Sequence, residues 1–364
     1  MIAVQELNKL SWKLHAFMFK NQLQHPTMKD EMQPTQALQR MIVGSWITQA
    51  IYVAAQLGIA DLLKDGSKSY DELATTTGVD ARSVYRLLRA LASVGIFAEG
   101  SSGYFELTPL AECLQSDRTN SLRAYAIKSG QAWEWQPWGH LLETVKTGKP
   151  VFKNIFGMEI FDYLATDPSA AKIYNQAISS FSDKQDIAIA AGYNFSSIHN
   201  LVEVAGGRGT LIASILKANL TMKGILFDLP HVVADARPLI ETLELQDRCQ
   251  LIGGNFFESV PTGGDAYLLR YIIHDWDGER AIAILKNCYQ AMQPNGRLLL
   301  VEMVIPPGNE PFYGKLLDLQ MLLNYGGRER TEIEYKDLLA TAGFSLTKIH
   351  PVAPPVSVIE AIRV

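Results

Sequence analysis

Val202-Glu203-Val204-Ala205-Gly206-Gly207-Arg208-Gly209-Thr210 joins a short apolar run, Leu201–Ala205, to a helical one, Leu211–Ala218. Gly207 and Gly209 let the backbone turn tightly and approach a ligand closely. Such a turn also fits an ordinary strand-to-helix connection, so its surroundings decide what it means.

Downstream the same alternation repeats. Gly224–Phe227 reads as a strand, Val232–Leu243 as a helix, and Gln250–Gly253 and Ala266–Arg270 as strands. A helix over Glu279–Met292, a strand over Arg297–Val304 after Pro294-Asn295-Gly296, and a helix near Tyr313–Leu323 follow. Strands separated by crossover helices predict an α/β fold with a parallel-type sheet of Rossmann-like design over residues 196–364.

In such folds a glycine-rich first turn followed by an acid about 20 residues later marks a dinucleotide site. Asp228 closes the second strand and suits ribose hydroxyls. Glu203, however, stands on the first strand just before the turn. A carboxylate there repels a pyrophosphate and suits a cationic nucleoside. The ligand that combines adenosine with ammonium and sulfonium charge is S-adenosylmethionine.

His274 follows the end of the strand that carries Arg270. Open parallel sheets place their active sites beyond the carboxyl ends of the strands. That position, within His274-Asp275-Trp276, predicts a general base. A phenol with pKa about 10 is mostly protonated at neutral pH, and an imidazole can remove its proton. Candidate walls for an acceptor pocket are Trp138, Phe152, Met158, Phe161, Met321 and Asn324.

Before this domain the texture differs. Residues 1–35 read as an N-terminal arm. In residues 36–110, Tyr70–Thr76 and Arg82–Val94 read as helices, and Ile96–Ala98 and Tyr104–Leu107 as a two-stranded wing. This is a winged-helix pattern. Its segment 70–112 sets Arg82, Arg86 and Arg89 against six acids, the wrong sign for phosphate contacts. A packing or dimerisation domain is the better reading, and nucleic acid is not an expected partner. Met41–Ala60 carries no charge for about twenty residues, enough to cross a bilayer, but Ser45, Thr48, Gln49 and Gln56 favour a buried helix, covered by a second copy of the chain. Residues 111–195 read as a helical linker and pocket region, with Trp133, Trp135 and Trp138 clustered.

Composition excludes several classes. With 364 residues, 48% hydrophobic and 20% charged, the chain can bury a large core and is not disordered. A net charge of −5 gives no positive field for nucleic acid or anionic lipid. Glu6, Lys9 and Lys13 break any secretory signal. Three dispersed cysteines suit a reducing, cytoplasmic setting and lack metal-ligand spacing.

Five ordered motifs carry a family resemblance. They are Glu203–Gly209, Asp228-Leu229-Pro230, Gly254-Asn255-Phe256-Phe257, Arg270–Trp276 and Gly327-Arg328-Glu329-Arg330-Thr331. Over residues 36–364 the chain resembles the S-adenosylmethionine-dependent small-molecule O-methyltransferases of caffeic acid, acetylserotonin, hydroxyneurosporene and polyketide-tailoring type. The resemblance implies that Glu203 and the Gly206, Gly207 and Gly209 turn hold the amino-acid part of the cofactor. It gives Asp228 to the ribose, Asn255 and Phe256 to the adenine, and Leu229, Arg270 and Tyr163 to places near the cofactor. It brings Glu302 and Glu329 beside His274 and implies a homodimer, no metal and secondary metabolism. Asn255 stands where the family usually has Asp, and Ala205 replaces the first glycine of the turn. Two other readings are a cofactor-binding fold that methylates N or C or runs a non-methyl reaction, and a winged-helix, metabolite-sensing DNA-binding protein. The acceptor is not legible in the sequence.

Overall fold

Leu201, Val202, Glu203 and Val204 are all buried, on both faces of one strand, which is the signature of a central parallel strand. The computed structural model describes residues 33–364 and divides them into two units: 33–141 with Lys153–Phe181, and Leu142–Phe152 with Ser182–Val364. The predicted arm lies outside the described residues except at its end, where a helix spans Pro34–Ile42.

The smaller unit has the predicted winged-helix elements. Its helices span Tyr70–Thr77 and Ala81–Ala92. The first starts in a capping box between Ser69 and Glu72 and stops at Gly78, φ +71°, the left-handed geometry glycine accepts freely. Three antiparallel strands, β1 (Lys68–Ser69), β2 (Phe97–Glu99) and β3 (Tyr104–Leu107), pair in the order β1-β3-β2. The two-residue β1 is too short for a periodicity to reveal. Leu73, Val84, Leu88, Leu91, Phe97 and Phe105 fill the core. The uncharged run 41–60 is not one buried helix. It breaks at Val43 and Leu57-Gly58 into Pro34–Ile42, Gly44–Gln56 and Ile59–Leu62. Ala54, Ala55 and Ile59 are buried, whereas Met41, Ile42 and Trp46 are exposed. None of the described helices is long and apolar enough to cross a membrane.

The larger unit is built on β4 (Asn200–Val204), β5 (Lys223–Asp228), β6 (Cys249–Gly253), β7 (Ala266–Arg270), β8 (Arg297–Ile305), β9 (Arg330–Thr331), β10 (Phe344–Ala353) and β11 (Val356–Arg363). The sheet runs β10-β11-β8-β7-β4-β5-β6, with β9 beside β8. The five strands read from the sequence are parallel, each within a few residues of its predicted bounds. The terminal hairpin β10–β11, which docks antiparallel on β8, makes the sheet mixed. Pro351, Pro354 and Pro355 hide it in the sequence, and β10 tolerates its proline because it is the sheet edge. One apolar cluster covers each face. The chain lays down β4, β5 and β6 in one direction, then returns to place β7 on the other side of β4. The carboxyl ends of β4 and β7 therefore flank the switch point, where open sheets bind ligands.

Candidate active site

The turn after β4 has the tightness that its glycines predict. A side chain at Gly206 would come within 2.7 Å of the Glu203 carboxylate, while above Gly207 the space is open. Gly207 and Gly209 take φ values of +58° and +75°. Ala205 does so at +55°, where a Cβ costs about 1–2 kcal/mol. The helix Thr210–Ala218 follows, and its Ile212 N–H donates to Glu203 at 3.1 Å. Asp228, at the end of β5, accepts from the Gly207 N–H at 2.8 Å and from the Leu229 N–H at 2.7 Å. Desolvation pushes the buried Glu203 carboxyl up to about 8, against the Ile212 hydrogen bond, with Asp228 adding to the rise. Desolvation also raises Asp228. Two acids destabilised as anions, beside an open glycine turn, suit a ligand bearing positive charge and hydroxyls and disfavour a diphosphate.

Asn255 braces its own loop. Its Oδ1 accepts from the Phe257 N–H at 3.0 Å and its amide donates to Glu258 at 3.3 Å. The carbonyl oxygen keeps a second lone pair. Phe256 packs edge-on to Phe257 and Trp276, and its carbonyl accepts from Asn287. Arg270 is ion-paired with buried Asp186 on the helix Pro168–Gly192.

After β7 the chain turns through Tyr271, φ +54°, into a short 3-10 turn, Ile273–Asp275. The Ile272 and Ile273 N–H groups donate to one oxygen of Glu302, midway along β8, at 3.2 and 2.9 Å. The segment Gly327–Arg330 docks on this turn. Any Cβ at Gly327 would lie 2.0 Å from the His274 carbonyl, to which the Arg328 N–H donates at 2.8 Å. Arg330, wholly buried, donates to the Ile273 and Trp276 carbonyls. Glu329 is thereby placed with Oε1 2.7 Å from His274 Nδ1, and its own N–H is held by Asp318. Glu302 stays 3.8 Å from the same nitrogen, and Asp275 lies 3.5 Å from Nε2.

All four groups are buried. Desolvation pulls the His274 pKa down, but Glu302, Glu329 and Asp275 together outweigh it and push the imidazole up to about 10. Burial moves Glu302 up to about 7 and Asp275 up to about 6. Ligand atoms of His274, Glu302 and Glu329 lie within 4.8 Å of one another, close enough to hold a cation.

Of the predicted pocket walls, Phe152, Met321 and Asn324 belong to this unit. All three are buried, the last two in a π-helical turn, Met321–Tyr325. Both polar atoms of the Asn324 amide lack a partner among the described residues. Trp138, Met158, Phe161 and Tyr163 belong to the other unit, where Tyr163 packs against Phe156 and burial raises its phenol. Sequence reasoning missed Asp186, Tyr271, Asp318, Gly327 and Arg330. Their positions within quoted motifs signalled Tyr271, Gly327 and Arg330; Asp186 and Asp318 sit on helices with nothing local to mark them.

An O-methyltransferase domain matches residues 138–345, and an O-methyltransferase dimerisation domain matches 39–117. The phenazine O-methyltransferase of Lysobacter antibioticus is 43% identical over 89% of this chain and 95% of its own. The 8-amino-8-demethylriboflavin N,N-dimethyltransferase of Streptomyces davaonensis is 33% identical over 92% of this chain and 97% of its own. The crystal structure of an O-methyltransferase of neocarzinostatin biosynthesis, with S-adenosylmethionine and 2-hydroxy-5-methyl naphthoic acid, matches with a TM-score of 0.79. It is 30% identical, over 87% of this chain and 96% of its own. Fold, motif order and these matches agree: the chain belongs to the S-adenosylmethionine-dependent O-methyltransferase family of small-molecule biosynthesis.

Proposed function

We propose that the protein transfers a methyl group to a hydroxyl of a small aromatic or polyketide-like metabolite, with His274 as general base. The observation that carries this is the Glu329–His274 contact at Nδ1. A carboxylate accepting the Nδ1 proton fixes the tautomer, so Nε2 is the nitrogen with a lone pair to offer. A neutral amine already presents a lone pair to an electrophile, whereas a phenol needs its proton removed. A strengthened base therefore favours oxygen.

Glu203, the Gly206–Gly209 turn and Asp228 would hold S-adenosylmethionine, and Leu229, Asn255, Phe256 and Arg270 would complete its surroundings. When bound, it supplies an electrophilic methyl on a sulfonium that leaves as a neutral thioether. What remains for the protein is to activate the nucleophile. His274 Nε2 takes the hydroxyl proton, and Glu329 and Glu302 stabilise the imidazolium. A free histidine, pKa about 6.5, would take a phenol's proton uphill by about 1.4 kcal/mol for each pKa unit of mismatch. Three facing carboxylates bring the imidazole close to the phenol range. The partnerless Asn324 amide supports a polar contact to the acceptor, with Phe152 and Met321 as apolar walls. Holding donor and acceptor in line contributes roughly 7–11 kcal/mol in well-oriented systems.

We read the reaction as metal-independent. Nδ1 already shares its proton with Glu329, and binding a cation there would quench the base. We also infer a homodimer formed through the smaller unit, since Leu38, Met41, Ile42 and Trp46 present an apolar stripe to solvent. A transfer assay with labelled methyl donor over phenols, catechols, hydroxyquinones and hydroxylated polyketides, run with and without chelator, tests the reading. Label recovered only on amine acceptors would favour N-methylation, the activity of the riboflavin-analogue relative. Loss of turnover with chelator would end the metal-free reading.

A further inference from the structure

The helix Pro168–Gly192 sends two consecutive side chains to two consecutive residues at the end of β7. Gln185 Nε2 donates to the Tyr271 hydroxyl at 3.1 Å, and Asp186 takes the Arg270 guanidinium. All four residues lie in the larger unit. Tyr271 is where the backbone leaves the strand with φ +54°, an uncommon conformation for a residue with a bulky side chain. Its N–H is tied to the Val301 carbonyl at 3.1 Å. Its ring lies on the His274 imidazole, with centroids 5.4 Å apart and planes 28° from parallel.

We propose that Tyr271, anchored by Gln185, is a positioning residue: it closes one face of the His274 ring and holds Nε2 toward the acceptor. This rests on the reading of His274 as the base. Glu329 fixes only Nδ1 and leaves the ring free to swing about that hydrogen bond. A stacked ring on one face removes this freedom. The aromatic face also favours an imidazolium over a neutral imidazole, because the ring quadrupole attracts a cation. Gln185 matters because an unanchored Tyr271 would relax the left-handed turn and slide off the imidazole. No sequence pattern hints at this pairing, since Gln185 lies 86 positions away.

The charged groups facing the imidazole are Glu302 on β8, Glu329 in the docked segment and Asp275 on its own turn. Arg330 on β9 and Tyr335 on the helix Glu332–Thr341 interact with the same two glutamates. Tyr271→Phe and Gln185→Leu leave all of these in place, so any shared effect comes from the anchor.

The experiment compares Tyr271→Phe, Gln185→Leu, the double variant and His274→Ala in the full chain, with kcat, KM, pH profile and melting temperature for each. The expected result is about a tenfold loss of kcat in either single variant, the rate equivalent of one hydrogen bond, with KM for both substrates within about twofold. The double variant should be no slower than either single one. The ascending limb of the pH profile should move to lower pH by a few tenths of a unit as the stack loosens. Wild-type kcat in both singles, or losses that multiply in the double, would overturn the proposal. So would a kcat loss that tracks melting temperature with an unmoved pH limb. Gln185 is only half-buried, so Gln185→Leu remains informative if Tyr271→Phe folds poorly. His274→Ala separates the two readings: full activity there removes the base itself, whereas an inactive His274→Ala beside normal Tyr271 and Gln185 variants removes only the anchor.

Discussion

Glu329 places Oε1 2.7 Å from His274 Nδ1, whereas Glu302 stops 3.8 Å short and engages the Ile272 and Ile273 N–H groups through its other oxygen. The two acids therefore act differently, one binding the base and the other fastening the turn that carries it. Glu329→Gln keeps an acceptor for the Nδ1 proton but removes the charge. The expected outcome is a fall in kcat of about 10²-fold, with cofactor affinity by calorimetry near wild type. His274→Ala should lose more, up to about 10⁴-fold. Wild-type turnover in either variant would exclude this pair from the proton transfer.

The pH dependence follows from the same cluster. An imidazole pushed up to about 10 is mostly protonated at neutral pH, so the competent fraction grows about tenfold per pH unit. kcat/KM should therefore rise from pH 7 toward 9 with a slope near one; a flat profile would contradict the raised base. Stability should run the other way. For His274 the folded-state pKa lies above the unfolded 6.5, so its contribution is complete below pH 6.5 and lost as pH approaches 10. Glu302 and Asp275, raised from 4.5 and 3.8 to about 7 and about 6, also favour the protonated form, and their contribution is lost as pH climbs through those values. The melting temperature should fall from pH 6 to pH 9 while activity rises.

Glu203 separates stability from binding. Its carboxyl, moved from 4.5 up to about 8 mainly by desolvation, destabilises the ligand-free fold increasingly as pH rises through that window. Glu203→Gln can still accept the Ile212 N–H, and it removes a cost on the order of a few kcal/mol at pH 8. The variant should melt several degrees higher without ligand, yet bind adenosylhomocysteine more weakly by at least tenfold. A variant that gains no stability and binds as wild type would sink the electrostatic account of this strand end.

These elements are legible in the sequence to different degrees. Four of the five parallel strands, β4, β5, β7 and β8, declare themselves because they are buried on both faces and are mostly apolar, whereas β6, at the sheet edge, is legible only from its place in the alternation of strands and helices. The hairpin β10–β11 does not, because its prolines mimic a loop and only pairing with β8 makes it a strand. His274 is visible from its place at a strand end. Glu302 and Glu329 are visible only through motif resemblance, since 28 and 55 residues separate them from the base and nothing local marks either. The Arg270–Asp186 pair and the Gln185–Tyr271 bond join a helix to a strand end by tertiary packing alone. The apolar stretch at 41–60 reads as one helix and is not, because missing charge says nothing of where a helix breaks.

Ala205 tests the turn itself. With φ +55° it carries a Cβ where the backbone favours glycine. Ala205→Gly should relieve about 1–2 kcal/mol of strain, partly offset by about 0.4–1 kcal/mol from the freer unfolded chain. A net rise in melting temperature of roughly 1–3 °C is expected. A lower melting temperature would mean that the methyl group's packing outweighs the strain.

The stripe Leu38, Met41, Ile42 and Trp46 is exposed by 59%, 72%, 65% and 73%. Leu38, Met41 and Ile42 share one face of the helix Pro34–Ile42 by their i, i+3, i+4 spacing, Trp46 opens the next helix, Gly44–Gln56, and large exposed apolar side chains grouped in this way mark an association site. The match of residues 39–117 to a dimerisation domain fits the same conclusion. Wild-type protein should scatter light as a dimer at micromolar concentration. Met41→Lys combined with Trp46→Glu should give a folded monomer, because neither side chain is buried within the chain. Far-ultraviolet circular dichroism would show that the fold is kept. A wild-type monomer, or a double variant that still runs as a dimer, would place the interface elsewhere.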